Sequence, residues 1–138
     1  MSSGFQSLKV VIRCANLDTS RTFYTEVLGL SIVEQWEEAE GRGIIVSAGE
    51  DSPGALIEVY EMSPAGRRFD PRFREPVSSD KIDLQLHTPA LEEWIARLRG
   101  RWPFQGPQDL PWGQRWIKLR DPDGLLIAIY TTRALSSQ

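Results

Sequence analysis

The sequence predicts an α+β fold: two tandem β-α-β-β-β modules whose sheets curl around a shared cavity. Three observations lead there. Leu8–Cys14 and Lys81–His87 both alternate apolar and polar residues, and each runs into an amphipathic helical stretch closed by a glycine. Each helical stretch is followed by three further strand-like runs. The last two runs flank Asp121-Pro122-Asp123-Gly124. There Pro122 presets φ at the second turn position and Gly124 tolerates a positive φ at the fourth, so the runs fold back as an antiparallel hairpin.

In the first module, Leu8, Val10, Ile12 and Cys14 share one strand face, with Lys9, Val11 and Arg13 on the other. Asn16 and Asp18 are candidate N-caps for a helix that carries Phe23, Tyr24, Val27 and Leu28 on one side and stops at Gly29. Strands follow near Leu30–Glu37, Gly43–Ala48 and Ala55–Met62. The last of these sets Leu56, Glu58 and Tyr60 against Ala55, Ile57 and Val59. Ser63–Ser79 reads as a connector holding three prolines, with Arg67, Arg68, Arg72 and Arg74 interleaved with Phe69 and Phe73. Phosphate contact is conceivable there, but an acidic chain favours a solvated connector packing partly over a pocket.

The second module opens with Ile82, Leu84 and Leu86 expected to face the helix and Lys81, Asp83, Gln85 and His87 opposite. Thr88 is expected to cap and Pro89 to take the first helical position. Leu91, Trp94, Ile95 and Leu98 then repeat at helical spacing up to Gly100. A strand or irregular segment, Trp102–Pro111, precedes the hairpin. Lys9 is expected to correspond to Lys81, and Glu58 to Ala128. The domain spans 7–131, as module 7–62, linker 63–80 and module 81–131.

Composition narrows the function. The chain is 41% hydrophobic and 25% charged, with a net charge of −3 and one histidine. That balance gives no electrostatic reason to bind nucleic acid or an anionic membrane. No apolar run nears the roughly 20 residues of a membrane span. Met1-Ser2-Ser3-Gly4 shows no charged and then apolar leader, so a cytoplasmic protein is expected. Cys14 is the single cysteine, which leaves no intrachain disulfide and no multi-thiolate site.

Asn16-Leu17-Asp18-Thr19-Ser20 with Phe23-Tyr24 and Val27-Leu28-Gly29, the strand Leu56-Ile57-Glu58-Val59, and Asp121-Pro122-Asp123-Gly124 running into Leu126–Tyr130 resemble the vicinal oxygen chelate superfamily. That group contains glyoxalase I, extradiol dioxygenases, and fosfomycin- and bleomycin-resistance proteins. The resemblance covers about residues 7–131. It implies a cavity metal held by His or Gln, Glu, His and Glu from the first, fourth, fifth and eighth strands. Carried over, those positions are Lys9, Glu58, Lys81 and Ala128. Two ammoniums repel a divalent ion and a methyl group offers no donor, so no metal and no cofactor are expected. Glu58 is instead expected between the ammoniums of Lys9 and Lys81. His87 falls on the cavity-side parity but lacks partner ligands, and a surface histidine beside the helix cap is the favoured reading.

The cavity face is then expected to carry Lys9, Val11, Arg13, Glu58, Tyr60, Lys81, Asp83, Gln85, Trp116, Lys118 and Tyr130. Ligand-binding candidates are Arg13, Tyr60, Trp116, Lys118 and Tyr130. Trp116 and Tyr130, helped by Trp36, Trp102 or Trp112, are placed to stack on a flat ligand, while Trp94 reads as core. Arg13, whose planar fork suits a carboxylate or phosphate, matches a first-strand arginine that contacts substrate in glyoxalase I-like proteins. Two functions compete. One is a metal-independent protein that binds an aromatic or anionic organic ligand, as in the metal-free bleomycin-resistance branch. The other is a lyase, isomerase or dioxygenase relative using Glu58 as catalytic base, with Lys9 or Lys81 polarising a carbonyl. The resemblance also implies a homodimer.

Overall fold

The computed structural model describes residues 3–49 and 54–132. It is an α+β fold of two compact units, Met1–Pro76 and Val77–Gln138.

Unit 1 runs β1 (Leu8–Arg13), α1 (Leu17–Thr22) continuing as a π-helical turn over Phe23–Val27, β2 (Ser31–Glu38), β3 (Gly41–Ser47) and β4 (Ala55–Met62). A 3-10 turn at Pro71–Arg74 follows. The four strands form one sheet in the order β1-β4-β3-β2, with β1 parallel to β4 and the other pairs antiparallel. Asn16 caps α1 as expected: its Oδ1 accepts from the Thr19 N–H at 3.2 Å. The helix packs on β3 and β4, where Leu17, Phe23, Tyr24, Ile44, Val46 and Val59 are all buried. Burial of that many large side chains is the main term holding the unit together. Arg42 on β3 also bonds Asp18 of the first helical turn and Glu61 of β4. Cys14 is buried as a small core residue. Leu8, on the same strand face as the buried Ile12 and Cys14, is itself 72% exposed, at the first rung of an edge strand.

Unit 2 repeats the plan with β5 (Leu84–His87), α2 (Leu91–Leu98), β6 (Gln105–Asp109), β7 (Gln114–Arg120) and β8 (Leu126–Thr132). Its sheet order is β5-β8-β7-β6, with β5 parallel to β8. The hairpin expected around residues 121–124 is present. Gly124 takes φ 90°. The Asp121 carboxylate accepts from the N–H groups of Asp123 and Leu125, each at 2.9 Å. Two features depart from expectation. The helix starts at Leu91, with Ala90 at the cap position, and the Thr88 hydroxyl accepts from the Ala90 N–H at 3.1 Å. Thr88 and Pro89 therefore form the approach to the helix rather than its first turn. The strand starts at Leu84, so Ile82 precedes the ladder and is exposed.

The late start of β5 changes the correspondence between the modules. In unit 1, Arg13 pairs with Tyr60, and the Cys14 N–H donates to the Tyr60 carbonyl at 3.0 Å. In unit 2, His87 pairs with Tyr130, and the Thr88 N–H donates to the Tyr130 carbonyl at 2.9 Å. Counting back equally from Arg13 and His87, the counterpart of Lys9 is Asp83, not Lys81. Ala128 keeps its match with Glu58, since each lies two residues before the equivalent tyrosine.

The connector is divided between the units. The Ser63 N–H bonds the Glu40 carbonyl and Arg67 pairs with Glu40, both in unit 1. The Val77 N–H bonds the Asp123 carbonyl and Asp80 pairs with Arg120, both in unit 2.

Candidate functional site

Alternation along β1 and β4 sends Lys9, Val11 and Arg13, with Leu56, Glu58 and Tyr60, to one side of the sheet. Ile12, Ile57 and Val59 are buried on the other. On the polar side, Lys9 Nζ lies 2.8 Å from Glu58 Oε1. The carboxylate is the more sequestered partner, its side chain 15% exposed against 41% for the lysine. One rung along, Tyr60 stacks with Trp36 of β2, ring centroids 5.7 Å apart and planes 29° apart.

Arg13 has an aromatic partner that the sequence reading assigned to a mere connector. Its guanidinium carbon stands 5.3 Å from the centre of the Phe73 ring. Phe73 is held there by the 3-10 turn, whose first N–H groups are covered by Asp70: Oδ1 accepts from the Arg72 backbone N–H at 2.9 Å. The side-chain bond from Arg72, then the backbone bond, lower the Asp70 pKa from 3.8 to about 2. The available signal was a phenylalanine set among arginines and prolines in an otherwise polar stretch.

On the sheet of unit 2, Trp116 pairs with Tyr130, and Lys118 with Ala128. Lys118 Nζ stands 4.2 Å from the Trp116 ring centre. The Trp116 indole N–H reaches Gln108 Oε1 at 3.4 Å, and Trp112 meets the ring edge-on at 6.4 Å. His87 is exposed and tilts against Tyr130, ring centroids 5.0 Å apart. Trp94, read from the sequence as core, is only half-buried and carries the Arg97 guanidinium 4.6 Å above its ring. Trp116, Lys118 and Tyr130 thus form one cluster in unit 2, and Arg13 and Tyr60 a second in unit 1.

The family model described as Glyoxalase/Bleomycin resistance protein/Dioxygenase superfamily matches residues 7–129. The chain belongs to this superfamily. A curated relative, lactoylglutathione lyase of Schizosaccharomyces pombe, is 40% identical over 53 residues, which are 38% of this chain and 18% of that enzyme. The match therefore spans less than a fifth of the relative's length. Among solved structures, the antibiotic-binding protein TnmS3 from Streptomyces sp. CB03234 superposes with a TM-score of 0.70 at 19% identity, covering 96% of this chain and 99% of that one. The trypanothione-dependent glyoxalase I of Leishmania major gives a TM-score of 0.69 at 19% identity, covering 93% and 87%. At those identities the likeness is one of fold.

For a glyoxalase-superfamily chain, the donor set does not fit a divalent ion. One oxygen of the Glu58 carboxylate is already paired with the Lys9 ammonium at 2.8 Å. Ala128 offers no donor atom and is fully buried. Lys81 lies ahead of β5, exposed, with its backbone N–H on the Ser79 hydroxyl at 3.2 Å. Asp83, at the position equivalent to Lys9, accepts from the Gln85 amide at 3.2 Å. Among the described residues no three His, Cys, Asp or Glu side chains gather at one point. A catalytic zinc-type site wants about three protein ligands.

Proposed function

We propose that this superfamily member is a metal-independent binding protein for a small aromatic or anionic organic molecule. The observation that carries the reading is the Lys9–Glu58 ion pair, which gives an internal cation to the carboxylate that the family resemblance would assign to a metal. The aromatic–cation groupings add to it: Trp36 with Tyr60, Arg13 with Phe73, and Trp116 with Lys118 and Tyr130. Aromatic faces take flat apolar surface, and a guanidinium or ammonium takes a carboxylate or phosphate. That this fold serves binding in an antibiotic-binding protein supports the same use here.

The reading extends to a homodimer in the cytoplasm. Exposed Ile32 and Val33 on the edge strand β2 are consistent with a covered edge. Native mass spectrometry of protein purified directly from its host tests all but the location. The expected result is an even subunit number and a bound organic mass with no stoichiometric metal. A stoichiometric divalent ion together with turnover overturns the proposal.

The second reading is a lyase-, isomerase- or dioxygenase-type enzyme with Glu58 as base. It is favoured by the same contact, because an ammonium beside a carboxylate could polarise a substrate carbonyl. Against it, Lys9 already holds one oxygen of the carboxylate that must receive the substrate proton. Turnover of the methylglyoxal–glutathione adduct or of a catechol, lost in Glu58→Gln, decides for the enzyme.

A further inference from the structure

Unit 2 contains a hollow of about 510 Å³. Trp102 and Phe104 of the α2–β6 connection line it as an aromatic wall, together with Lys118 and Arg120 of β7 and with Pro122 and Leu126. The volume lies within the range of small-molecule sites. The wall is braced in advance, since the Trp102 indole N–H donates to the Arg120 carbonyl at 2.8 Å.

Charge bookkeeping gives the hollow a sign. The Arg120 guanidinium is taken up by Asp80, at 2.7 and 2.9 Å. Asp121 is the carboxylate in the lining, but it is 4% exposed and its Oδ1 is engaged by two backbone N–H groups. Lys118 forms no direct ion pair among the described residues; it rests on the Trp116 ring and interacts with the Asp80 carboxylate only at longer range. A second hollow of about 400 Å³ shares Trp102 and Phe104 and is lined also by Arg99 and Arg101, neither of which is ion-paired among the described residues. With Arg99, Arg101, Lys118 and Arg120 against Asp80 and Asp121, the region presents an excess of positive charge beside flat aromatic surface in a chain whose net charge is −3. A local field of that sign is not a consequence of overall composition.

We infer that the hollow binds a flat aromatic anion, with its ring against Trp102 and Phe104 and its carboxylate or sulfonate on the Lys118 ammonium. The inference rests on the small-molecule-binding reading above and assigns it a ligand class and a place within unit 2.

The test is calorimetric titration of the full chain with 2-naphthoate and, separately, with the neutral 2-naphthalenemethanol. The acid is expected to bind about tenfold more tightly than the alcohol, as one charge-assisted hydrogen bond allows. Lys118→Gln should erase that difference, and Phe104→Leu should weaken both probes about fivefold. Arg68→Gln, an exposed charge loss in the connector, should change neither. Circular dichroism checks that each variant is folded, and Lys118→Gln alters only a partly exposed side chain. Equal affinity for acid and alcohol overturns the anion assignment. Unchanged naphthoate binding in both Lys118→Gln and Phe104→Leu overturns the location while small-molecule binding stands. No naphthoate binding at millimolar concentration overturns the inference, whereas an organic mass carried from the host would still support the broader function.

Discussion

Trp36 and Gly43 are directly paired across β2 and β3, and the indole lies where a side chain at position 43 would have to go. A Cβ built on Gly43 would stand 2.5 Å from Trp36 Cζ2 and 2.9 Å from the Val59 carbonyl oxygen. The absence of a side chain there is what lets Trp36 lie against Tyr60.

Gly43→Ala should therefore dislodge Trp36 from Tyr60 and strain the sheet. Moving the indole alone does not relieve the contact with the Val59 backbone. Overpacking of this kind costs about 1–3 kcal/mol. The expected outcome is a lower urea midpoint and a red-shifted tryptophan emission. An unchanged midpoint and spectrum would contradict this geometry.

Lys9→Met removes the cation from a carboxylate whose side chain is only 15% exposed. The loss should be about 1 kcal/mol, because the lysine itself is substantially exposed and screened. Adding Glu58→Gln should recover part of it, so the two substitutions are non-additive in a double-mutant cycle. Additive effects would mean that the ion pair contributes nothing in solution.

Asp121→Ala leaves the buried N–H groups of Asp123 and Leu125 without their acceptor. Each orphaned buried donor is costly, and the expected destabilisation is about 1–3 kcal/mol. Asp121→Asn, which keeps an oxygen acceptor, should lose less. Chemical denaturation of the three proteins side by side measures the order.

Asp70 should titrate with a midpoint of about 2 rather than 3.8, chiefly because of its side-chain bonds to Arg72. A depressed folded-state pKa means that this interaction is complete above pH 3.8 and disappears as the pH falls through about 2. Arg72→Gln should move the midpoint back toward 3.8, and carboxyl-carbon NMR reads both. The 3-10 turn that presents Phe73 to Arg13 should loosen over the same acid range.

Much of the fold was legible because its cues are local. The limits of β4, the hairpin around residues 121–124 and the Asn16 cap follow from alternation, turn chemistry and a side chain bonding its own helix start. That Arg13 and Tyr60 lie on one face of their sheet, and likewise Trp116 and Tyr130, is equally a matter of parity. The aromatic partner of Arg13 and the Trp102–Phe104 wall were not legible in this way. Phe73 meets Arg13 across 60 positions of sequence, and Phe104 lies just before β6 with no periodic pattern to place it.

The sequence alone determined two β-α-β-β-β modules, the faces of their strands, and the absence of ligand-type side chains at Lys9 and Ala128. Only the tertiary structure decided that Asp83, rather than Lys81, answers Lys9. The reason is the period of a β-strand. A shift of two residues returns every side chain to the same face, so apolar alternation cannot detect it. The hydrogen bonds of Cys14 and Thr88 to Tyr60 and Tyr130 can, because each backbone N–H has one partner to choose.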